Sequence, residues 1–377
     1  MTVALDATII ESSKREAQPT YQGGSGYQPM LALWAEMNLV LADEFHDGNV
    51  PTQKEPLRVA RRAFQALPPT VGEYYFRGDS ACWEKQLLNW LREEQRADGP
   101  KGPITFDISV RMTPNLKKHM VRLGESLWKP YREDAGMVSE CADLLKYWPE
   151  DEERPEGTGP LRYIAIRMRK RQGELLADGS EMKYFAVGSN QWDRDAARLL
   201  EWQREKAGTI EALHDVLKNE LAAGVMPCGR FGANAAWLRL AVITHTVLTA
   251  LKRLAMPEKW LTGRPKRMRF QVFCLPGKLV SHARQTWLRV SEAEGTVGGV
   301  DRDVAVAPDS VTHVGFLTDG LWNRESHKPG GSREPRTVPI RSGTWKAPPI
   351  ETGSLSWGMF QLIRQFALRP AKFYIDC

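Results

Sequence analysis

Apolar and polar positions divide the first third of the chain into alternating strands and helices. Three consecutive runs rich in apolar and β-branched side chains, at 2–10, 27–36 and 39–45, predict an antiparallel meander. The period then changes, because residues 57–67 carry apolar side chains at helical spacing. The pattern continues as a strand, an amphipathic helix and a further strand, at 73–80, 82–95 and 104–110. This order predicts an α/β fold with a mixed sheet and helices on its faces.

The middle of the chain has a less regular pattern that resembles an inserted subdomain. It spans residues 112–188 and includes a helical pattern followed by two strand-like runs, at 160–169 and 182–188. Two helical segments follow at 193–223 and 234–254, and Gly208 predicts a break in the first. After about residue 292, Gly, Ser, Pro and Thr replace the apolar periodicity, which predicts a poorly ordered tail over 293–377.

Charge is concentrated in one segment of the chain. The 377 residues contain 52 basic and 46 acidic side chains, a net charge of +6. Between Lys252 and Arg289 there are ten basic residues and one acid, Glu258. Such a block suits a polyanionic partner, and a solvated basic face explains it equally well. The five cysteines are scattered without CxxC spacing, which indicates reduced thiols.

Targeting signals are not evident in the sequence. No window holds 18 uninterrupted apolar residues, so no membrane span is expected. The N-terminus has no basic region followed by an apolar run and a cleavage site. We therefore expect a cytoplasmic protein.

Two aspartates occupy positions that their predicted strands make unusual. Asp6 interrupts an apolar strand, where an unpaired carboxylate is costly to bury unless it faces a metal or hydrogen-bond donors. Asp79 follows a strand, and strand ends are where sites form in open α/β sheets. Asp79 also suits the N-cap of the next helix, and Asp6 suits a turn at the surface. Both interpretations remain open at this point.

Glu211 is a third candidate. It lies beside the apolar stripe of a predicted helix, with His214 and Lys218 three and seven residues later on the same face. A carboxylate and an ammonium two turns apart suit a metal and a neighbouring phosphate, although an exposed amphipathic face explains them equally well.

These three acids together suit phosphodiester chemistry. Carboxylate oxygens are ligands that Mg²⁺ prefers. Two such ions about 4 Å apart activate a water or a 3′-hydroxyl and stabilise the leaving oxygen. Motifs of the common nucleotide-binding and hydrolase families are not present.

Several segments, in order and spacing, resemble the DDE transposases of the insertion sequence 1380 family. The similarity covers roughly residues 3–290 and is carried by the segments at 4–50, 75–81, 162–175, 182–192 and 204–242. It implies a ribonuclease H-like core with a β-rich insertion before the last catalytic acid. The implied division is a first part of the core (1–111), the inserted subdomain (112–188), a helical completion of the core (189–257), a basic segment (258–292) and the tail (293–377).

The resemblance also assigns site residues. The family's three catalytic, metal-binding acids fall on Asp6, Asp79 and Glu211, and its lysine, which follows the glutamate after six intervening residues, falls on Lys218. The family's tyrosine and arginine positions fall on Arg204 and Ala207, so the phosphate contact of the missing arginine either passes to Arg204 or Lys206 or is weakened. The implied cofactor is a pair of Mg²⁺ ions, with Mn²⁺ as a substitute.

What the resemblance implies is DNA strand cleavage and strand transfer at insertion-sequence ends. The expected partner is double-stranded DNA, bound by a homodimer associated with the nucleoid. Because the chain begins at the first core strand and the family carries an end-recognising region before it, we expect a truncation at the N-terminus. A non-catalytic DNA-binding remnant and a ribonuclease H-like nuclease unrelated to transposition are the alternative functions.

Overall fold

A computed structural model describes residues 1–134, 136–145, 147 and 159–274, and the backbone of three later strands. The chain forms two units that divide between Pro265 and Lys266. Of the predicted tail, Asp303–Val306 alone is described. The rest of the tail, and the side chains of the predicted basic segment from residue 275 onward, lie outside the described residues.

The first unit is built on a nine-stranded sheet of order β6-β5-β1-β7-β8-β12-β11-β10-β9. Its strands are β1 (Thr2–Ala7), β5 (Met30–Trp34), β6 (Leu39–Glu44), β7 (Tyr74–Gly78), β8 (Ile104–Ser109), β9 (Lys129–Asp134), β10 (Met137–Asp143), β11 (Arg162–Lys170) and β12 (Lys183–Ser189). Three short strands, β2 (Ile10–Glu11), β3 (Gln18–Pro19) and β4 (Ser25–Tyr27), form a separate small sheet.

Strand directions make this a mixed sheet, as the sequence predicts. β1 pairs antiparallel with β5, and β5 with β6, so the predicted meander is confirmed. On its other side β1 runs parallel to β7, and β7 runs parallel to β8. The strands from β12 to β9 continue the sheet in antiparallel pairing. Since these three strands are parallel, the carboxyl ends of β1, β7 and β8 lie at the same end of the sheet.

Helices cover both faces of the sheet. On one face, Val3 and Leu5 of β1 pack with apolar residues of α1 (Pro56–Gln65) and α2 (Lys85–Arg92). On the other face, Ala4 packs with the π-helical segment Ala207–Glu211, α5 (Ala212–Asn219) and α6 (Phe231–Ala255). α3 (Pro114–Val121) packs with the first of these layers. The fully buried leucines contribute roughly 1.5–3 kcal/mol each.

The predicted break in the first helical segment is confirmed. α4 (Ala196–Arg204) packs on β10 to β12 and ends before the π-helical segment, which leads directly into α5. Thr209 in that segment turns its hydroxyl back to the carbonyl of Glu205, 3.1 Å away. The interruption thus places a separate π-helical turn between α4 and α5, and Glu211 is the last residue of that turn.

The hairpin of β9 and β10 was not predicted. β9 has the sequence KPYRED, is exposed along most of its length and forms the edge of the sheet. An edge strand with charged side chains and a proline lacks the apolar alternation that marks buried strands.

The second unit, taken by itself, contains a three-stranded antiparallel sheet. Its strands are β13 (Gly277–His282), β14 (Gln285–Val290) and β15 (Asp303–Val306). A short helix, α7 (Pro265–Met268), and a second π-helical segment, Arg269–Phe273, precede it. Among the described residues, no helix combines the length and apolarity needed to cross a bilayer.

Candidate active site

The pairing of β1 and β7 brings the two aspartates together. Leu5 is the register partner of Gly78, so Asp6 and Asp79 each follow by one residue at the ends of adjacent parallel strands. Side chains alternate across a sheet, which places Asp6 on the same face as Ala4. That face is covered by the π-helical segment and α5. The strand register therefore places Asp6 and Asp79 beside each other at the edge nearest to Glu211.

Asp6 is buried and faces a buried histidine. The Asp6 side chain is 11% exposed, and its Oδ1 accepts a hydrogen bond of 3.0 Å from the Ala7 N–H. Its Oδ2 lies 3.5 Å from Nε2 of His214, and neither ring nitrogen of that histidine has a hydrogen-bond partner. At this distance the contact is electrostatic rather than a well-formed hydrogen bond. Asp6 thus keeps an oxygen available to a cation.

Asp79 has an unusually high pKa. Burial and the negative charge of Asp6 raise the pKa of Asp79 to about 6, against the opposing effects of Lys206 and of nearby backbone N–H groups. Its Oδ1 also accepts the Ala81 N–H at 2.9 Å, capping the 3₁₀ turn Ser80–Cys82. The prediction that Asp79 caps the following amphipathic helix is wrong, because Glu84 caps α2 and Asp79 caps the short turn before it.

Glu211 contacts a lysine. Its Oε1 lies 3.5 Å from Nζ of Lys206, and its side chain is 47% exposed. The same ammonium lies near enough to Asp79 to lower its pKa. Lys206 therefore interacts with two of the three acids predicted from the sequence. The structure brings Asp6 and Asp79 together, and it connects Glu211 to Asp79 through a cationic side chain.

A buried arginine holds these elements in place. Arg77 is 2% exposed and donates hydrogen bonds to the Trp202 carbonyl (2.8 Å), to Glu205 Oε2 (2.9 Å) and to Thr209 Oγ1 (3.1 Å). It lies two residues before Asp79, and Thr209 lies two residues before Glu211. Arg77 was not identified from the sequence, since its partners follow it by 125 to 132 residues.

The predicted phosphate-binding cations occupy different surroundings. Lys218 Nζ donates to Thr8 Oγ1 (2.6 Å) and to the Ile9 carbonyl (2.7 Å), just beyond the end of β1. Burial lowers the pKa of Lys218, while the charge of Asp6 acts in the opposite direction. Arg204 instead lies over the ring of Tyr131, 5.2 Å from its centroid. Lys218 is therefore positioned beside the acidic pair.

The acidic pair has the donor chemistry of a magnesium site. A buried and a half-buried carboxylate whose charges repel each other are an arrangement that a divalent cation stabilises. Within the described residues, no group of three or more His, Cys, Asp or Glu side chains is arranged to hold a metal ion. Asp6 and Asp79 fit such an ion as a pair, whereas the contact observed for Glu211 is with Lys206.

A mixed sheet flanked by helices, with an acidic pair at the ends of its central parallel strands, defines an α/β protein with a carboxylate site. Residues 1–296 match the family model described as Transposase DDE domain group 1, so the chain belongs to this family of DDE transposase domains. Family membership supports a transposase function. The predicted resemblance to DDE transposases is thus confirmed at the level of the domain family.

One solved structure similar to this chain is the piggyBac transposase in a cryo-EM synaptic complex with hairpin DNA. The two are 11% identical, with a TM-score of 0.35, and the match covers 71% of this chain. The chain spans 57% of the length of that transposase chain. A comparison with curated proteins gives no match.

Proposed function

We propose that this chain is the catalytic core of a transposase of the insertion sequence 1380 family, which cuts DNA at element ends and joins the freed 3′-hydroxyl to target DNA. The observation that carries the proposal is the position of Asp6 and Asp79 at the ends of two adjacent parallel strands, where Asp6 is buried, Asp79 is half-buried, and the charge of Asp6 raises the pKa of Asp79. Such a pair, inside a DDE transposase domain, suits metal-dependent chemistry at phosphorus.

Asp6, Asp79 and Glu211 would hold the metal, as a pair of Mg²⁺ ions or Mn²⁺ in their place. When bound, the ions supply activation of the attacking oxygen and charge stabilisation of the leaving oxygen. Asp6 provides a buried carboxylate and Asp79 a half-buried one. In the absence of the metal, Lys206 offsets part of the negative charge of Asp79 and Glu211, because its ammonium interacts with both carboxylates.

The phosphate contacts of the proposed reaction come from Lys218, with Arg204 as a second contact. Lys218 is fixed by Thr8 and Ile9 at the end of β1, so its charge is held next to Asp6. A point charge at that position orients a phosphate against the acidic pair. The guanidinium of Arg204 lies over the ring of Tyr131 on β9, where it would contact the phosphates of DNA bound along this strand.

The strand order of the sheet supports the finer architecture. An antiparallel trio of β6, β5 and β1 followed by the parallel β7 and β8 is the arrangement expected of a ribonuclease H-like core. In the proposed division, residues 1–111 and 189–257 form that core, 112–188 form its insertion, 258–292 form a basic segment and 293–377 the tail. The proposed partner is double-stranded DNA bound by a homodimer at the nucleoid.

A plasmid-nicking assay tests this function. Wild type with Mg²⁺ should convert supercoiled DNA carrying the element ends to nicked DNA, and EDTA should stop the reaction. Asp79→Asn should reduce the rate about a hundredfold or more, since a preorganised charge at the reacting centre is lost. Asp193→Asn, an exposed residue of the same type, is the matched control.

The outcomes distinguish the alternative functions. Nicking by neither wild type nor variant, with DNA binding retained, would favour the non-catalytic remnant. Of the basic block that supports the remnant, Lys252 donates to the Gly263 carbonyl and Arg253 to the Glu36 and Met37 carbonyls, so both are engaged within the protein. Cleavage without regard to element ends, and without strand transfer, would favour an unrelated nuclease.

A further inference from the structure

Two glutamine side chains from distant segments bind the backbone on either side of Asp79. Gln203 lies in the last turn of α4 and is 5% exposed. Its Nε2 donates a hydrogen bond of 3.2 Å to the carbonyl of Gly78, the residue before Asp79. Gln53 lies between β6 and α1, and its Nε2 donates a hydrogen bond of 3.3 Å to the carbonyl of Ser80, the residue after Asp79. We call these two side chains the glutamine pair.

Gln203 joins the ends of two parallel strands. A side-chain amide nitrogen carries two protons, which can be donated to separate acceptors. The second hydrogen bond of Gln203 Nε2 goes to Oγ of Ser109, the last residue of β8, at 3.0 Å. Since Gly78 is the last residue of β7, one side chain of α4 fixes the ends of both strands. The amide is buried, so its loss leaves polar groups without a partner in the protein interior, which costs free energy.

The orientation of the Asp79 carboxylate depends on the backbone that the glutamine pair binds. Oδ1 of Asp79 accepts the Ala81 N–H at 2.9 Å, and its carbonyl accepts the Cys82 N–H at 3.1 Å. A Cβ atom at Gly78 would lie 2.6 Å from Sγ of Cys82, so the end of β7 packs directly on this turn. A shift of the Gly78 carbonyl therefore moves the turn and the carboxylate together.

Gln53 fixes the other side of the same turn. Besides the Ser80 carbonyl, its Nε2 binds the carbonyl of Trp83, the residue that follows the turn, at 2.6 Å. Gln53 is half-buried, so water competes for these acceptors and the net gain of each bond is smaller than in the interior. The glutamine pair thus restrains the backbone before and after Asp79 with unequal strength, and Gln203 makes the stronger contact.

We infer that Gln203 is a positioning residue for Asp79, with Gln53 as a weaker second one, and that the glutamine pair prepares the Asp79 carboxylate for a divalent cation. Residues that orient a metal ligand without binding the metal themselves contribute about 10-fold to 100-fold to metal affinity. A carboxylate that is already oriented loses less conformational freedom when the ion binds. This inference rests on the proposed function for the identity of the metal ligand, and it adds the residues that determine its position.

Binding of Mn²⁺ without DNA tests the inference separately from cleavage. The EPR signal of the free ion gives the Kd during a titration of the full chain. Gln203→Met keeps the length of the side chain and removes both donors, so it should raise the Kd about tenfold or more. Gln191→Met is the matched control, because Gln191 is also buried and its Nε2 donates at 3.3 Å to Asp107, two residues before the end of β8. Its Kd should equal that of wild type.

Hydrogen exchange of the metal-free protein, measured by mass spectrometry, reports on the turn itself. In peptides that contain Ala81 and Cys82, Gln203→Met should speed exchange of these N–H groups about tenfold, because both bind Asp79 and a loosened turn opens more often. Gln191→Met should leave the exchange of these peptides unchanged. A role of Gln203 in general stability alone would not produce this difference between the two variants.

Equal Mn²⁺ affinity of wild type and a folded Gln203→Met protein would overturn the inference and leave the proposed function intact, whether or not exchange at the turn is faster. Wild type that binds no Mn²⁺ would overturn the proposed metal site and the inference with it.

A second variant decides if Gln203→Met does not fold. Gln53 is half-buried and lies outside the helices and strands, so Gln53→Met leaves the packed core unchanged. It should raise the Kd for Mn²⁺ about threefold, a smaller effect than that of Gln203 because water replaces part of the lost hydrogen bonding. Gln65→Met, at an exposed position at the end of α1, is its control and should bind as wild type does. A Gln53→Met protein with the affinity of wild type would then overturn the inference.

Discussion

The guanidinium of Arg77 lies 2.9 Å from the carboxylate of Glu205 and joins the strand before Asp79 to the turn before Glu211. The ion pair is asymmetric, because the Arg77 side chain is 2% exposed and that of Glu205 is 64% exposed. Arg77 also donates hydrogen bonds to Trp202 and Thr209, which lie on either side of the same turn. The spacing between the candidate acids therefore depends on a residue that is not itself a candidate ligand.

Removing this arginine should weaken the fold and the site together. Arg77→Met should lower the free energy of unfolding by about 2–4 kcal/mol, since three hydrogen bonds are lost from a buried position. Urea denaturation measures this change. Glu205→Gln should cost less than about 1 kcal/mol, because an exposed partner remains solvated. Similar small losses in both variants would contradict the anchoring role.

Asp79 should make the folded protein less stable as the pH rises. Its folded pKa, about 6, exceeds the ordinary value of 3.8, so the folded state holds the proton more tightly than the unfolded state does. The stabilising contribution of the protonated form is present at pH 3.8 and is lost as the pH rises through 6. Asp79→Asn, which can still cap the turn, should therefore be more stable than wild type at pH 7 by about 1–3 kcal/mol. An equal difference in unfolding free energy between Asp79→Asn and wild type at pH 4 and at pH 7 would contradict this prediction.

Magnesium binding should offset the loss of stability that the charged form of Asp79 causes at neutral pH. Binding to the folded state alone raises the apparent stability by about 2.7 kcal/mol when the free ion is a hundred times its Kd. Thermal unfolding of wild type should shift upward with Mg²⁺ and return with EDTA, whereas Asp6→Asn and Asp79→Asn should not shift. Asp193→Asn should behave as wild type. A shift of equal size in all four proteins would place the ion elsewhere.

Lys206 should control the pH at which the site becomes active. Its ammonium lowers the pKa of Asp79, so Lys206→Met should raise that pKa further. The acid limb of the pH–rate profile for nicking should then move to higher pH. Lys117→Met, an exposed position on α3, is the control. A profile that moves to lower pH, or does not move, would mean that Lys206 does not act on Asp79.

His245 should contribute to acid sensitivity at a distance from the site. Burial lowers the pKa of His245 to about 4, and its Nε2 contacts the Asn38 carbonyl at 3.1 Å. Because the folded state resists protonation, stability should fall as the pH drops from 6.5 to 4. His245→Gln should reduce that fall by about 2–3 kcal/mol, measured as the difference in unfolding free energy between pH 7 and pH 4. An unchanged difference would contradict the prediction.

The central strands were predictable because burial on both faces imposes a strong pattern. β1 and β5 are apolar along nearly their whole length, so their positions were visible without the partner strands. The edge strand β9 has only one partner strand and is mostly exposed, so its charged sequence carried no comparable signal. Local sequence thus indicates a strand where packing constrains every residue.

Candidate acids were predictable one at a time, and their partners were not. Asp6 drew attention because a carboxylate in an apolar strand is costly. Arg77 and the proximity of Lys206 to Asp79 became visible only through contacts between segments distant in sequence. No local pattern marks such residues, because each depends on the register of β1 against β7 and on the turn after α4.

The order of these segments along the chain has a consequence for protein synthesis. β1 is synthesised before the other strands of its sheet, yet it pairs with β7, about seventy residues later, and is covered by helical segments that begin at residue 207. A chain released before residue 202 carries Asp6 and Asp79 but lacks Lys206, Glu211 and the residues that Arg77 contacts. Under the proposed function, prematurely terminated products are therefore unable to damage the chromosome of the cell that makes them.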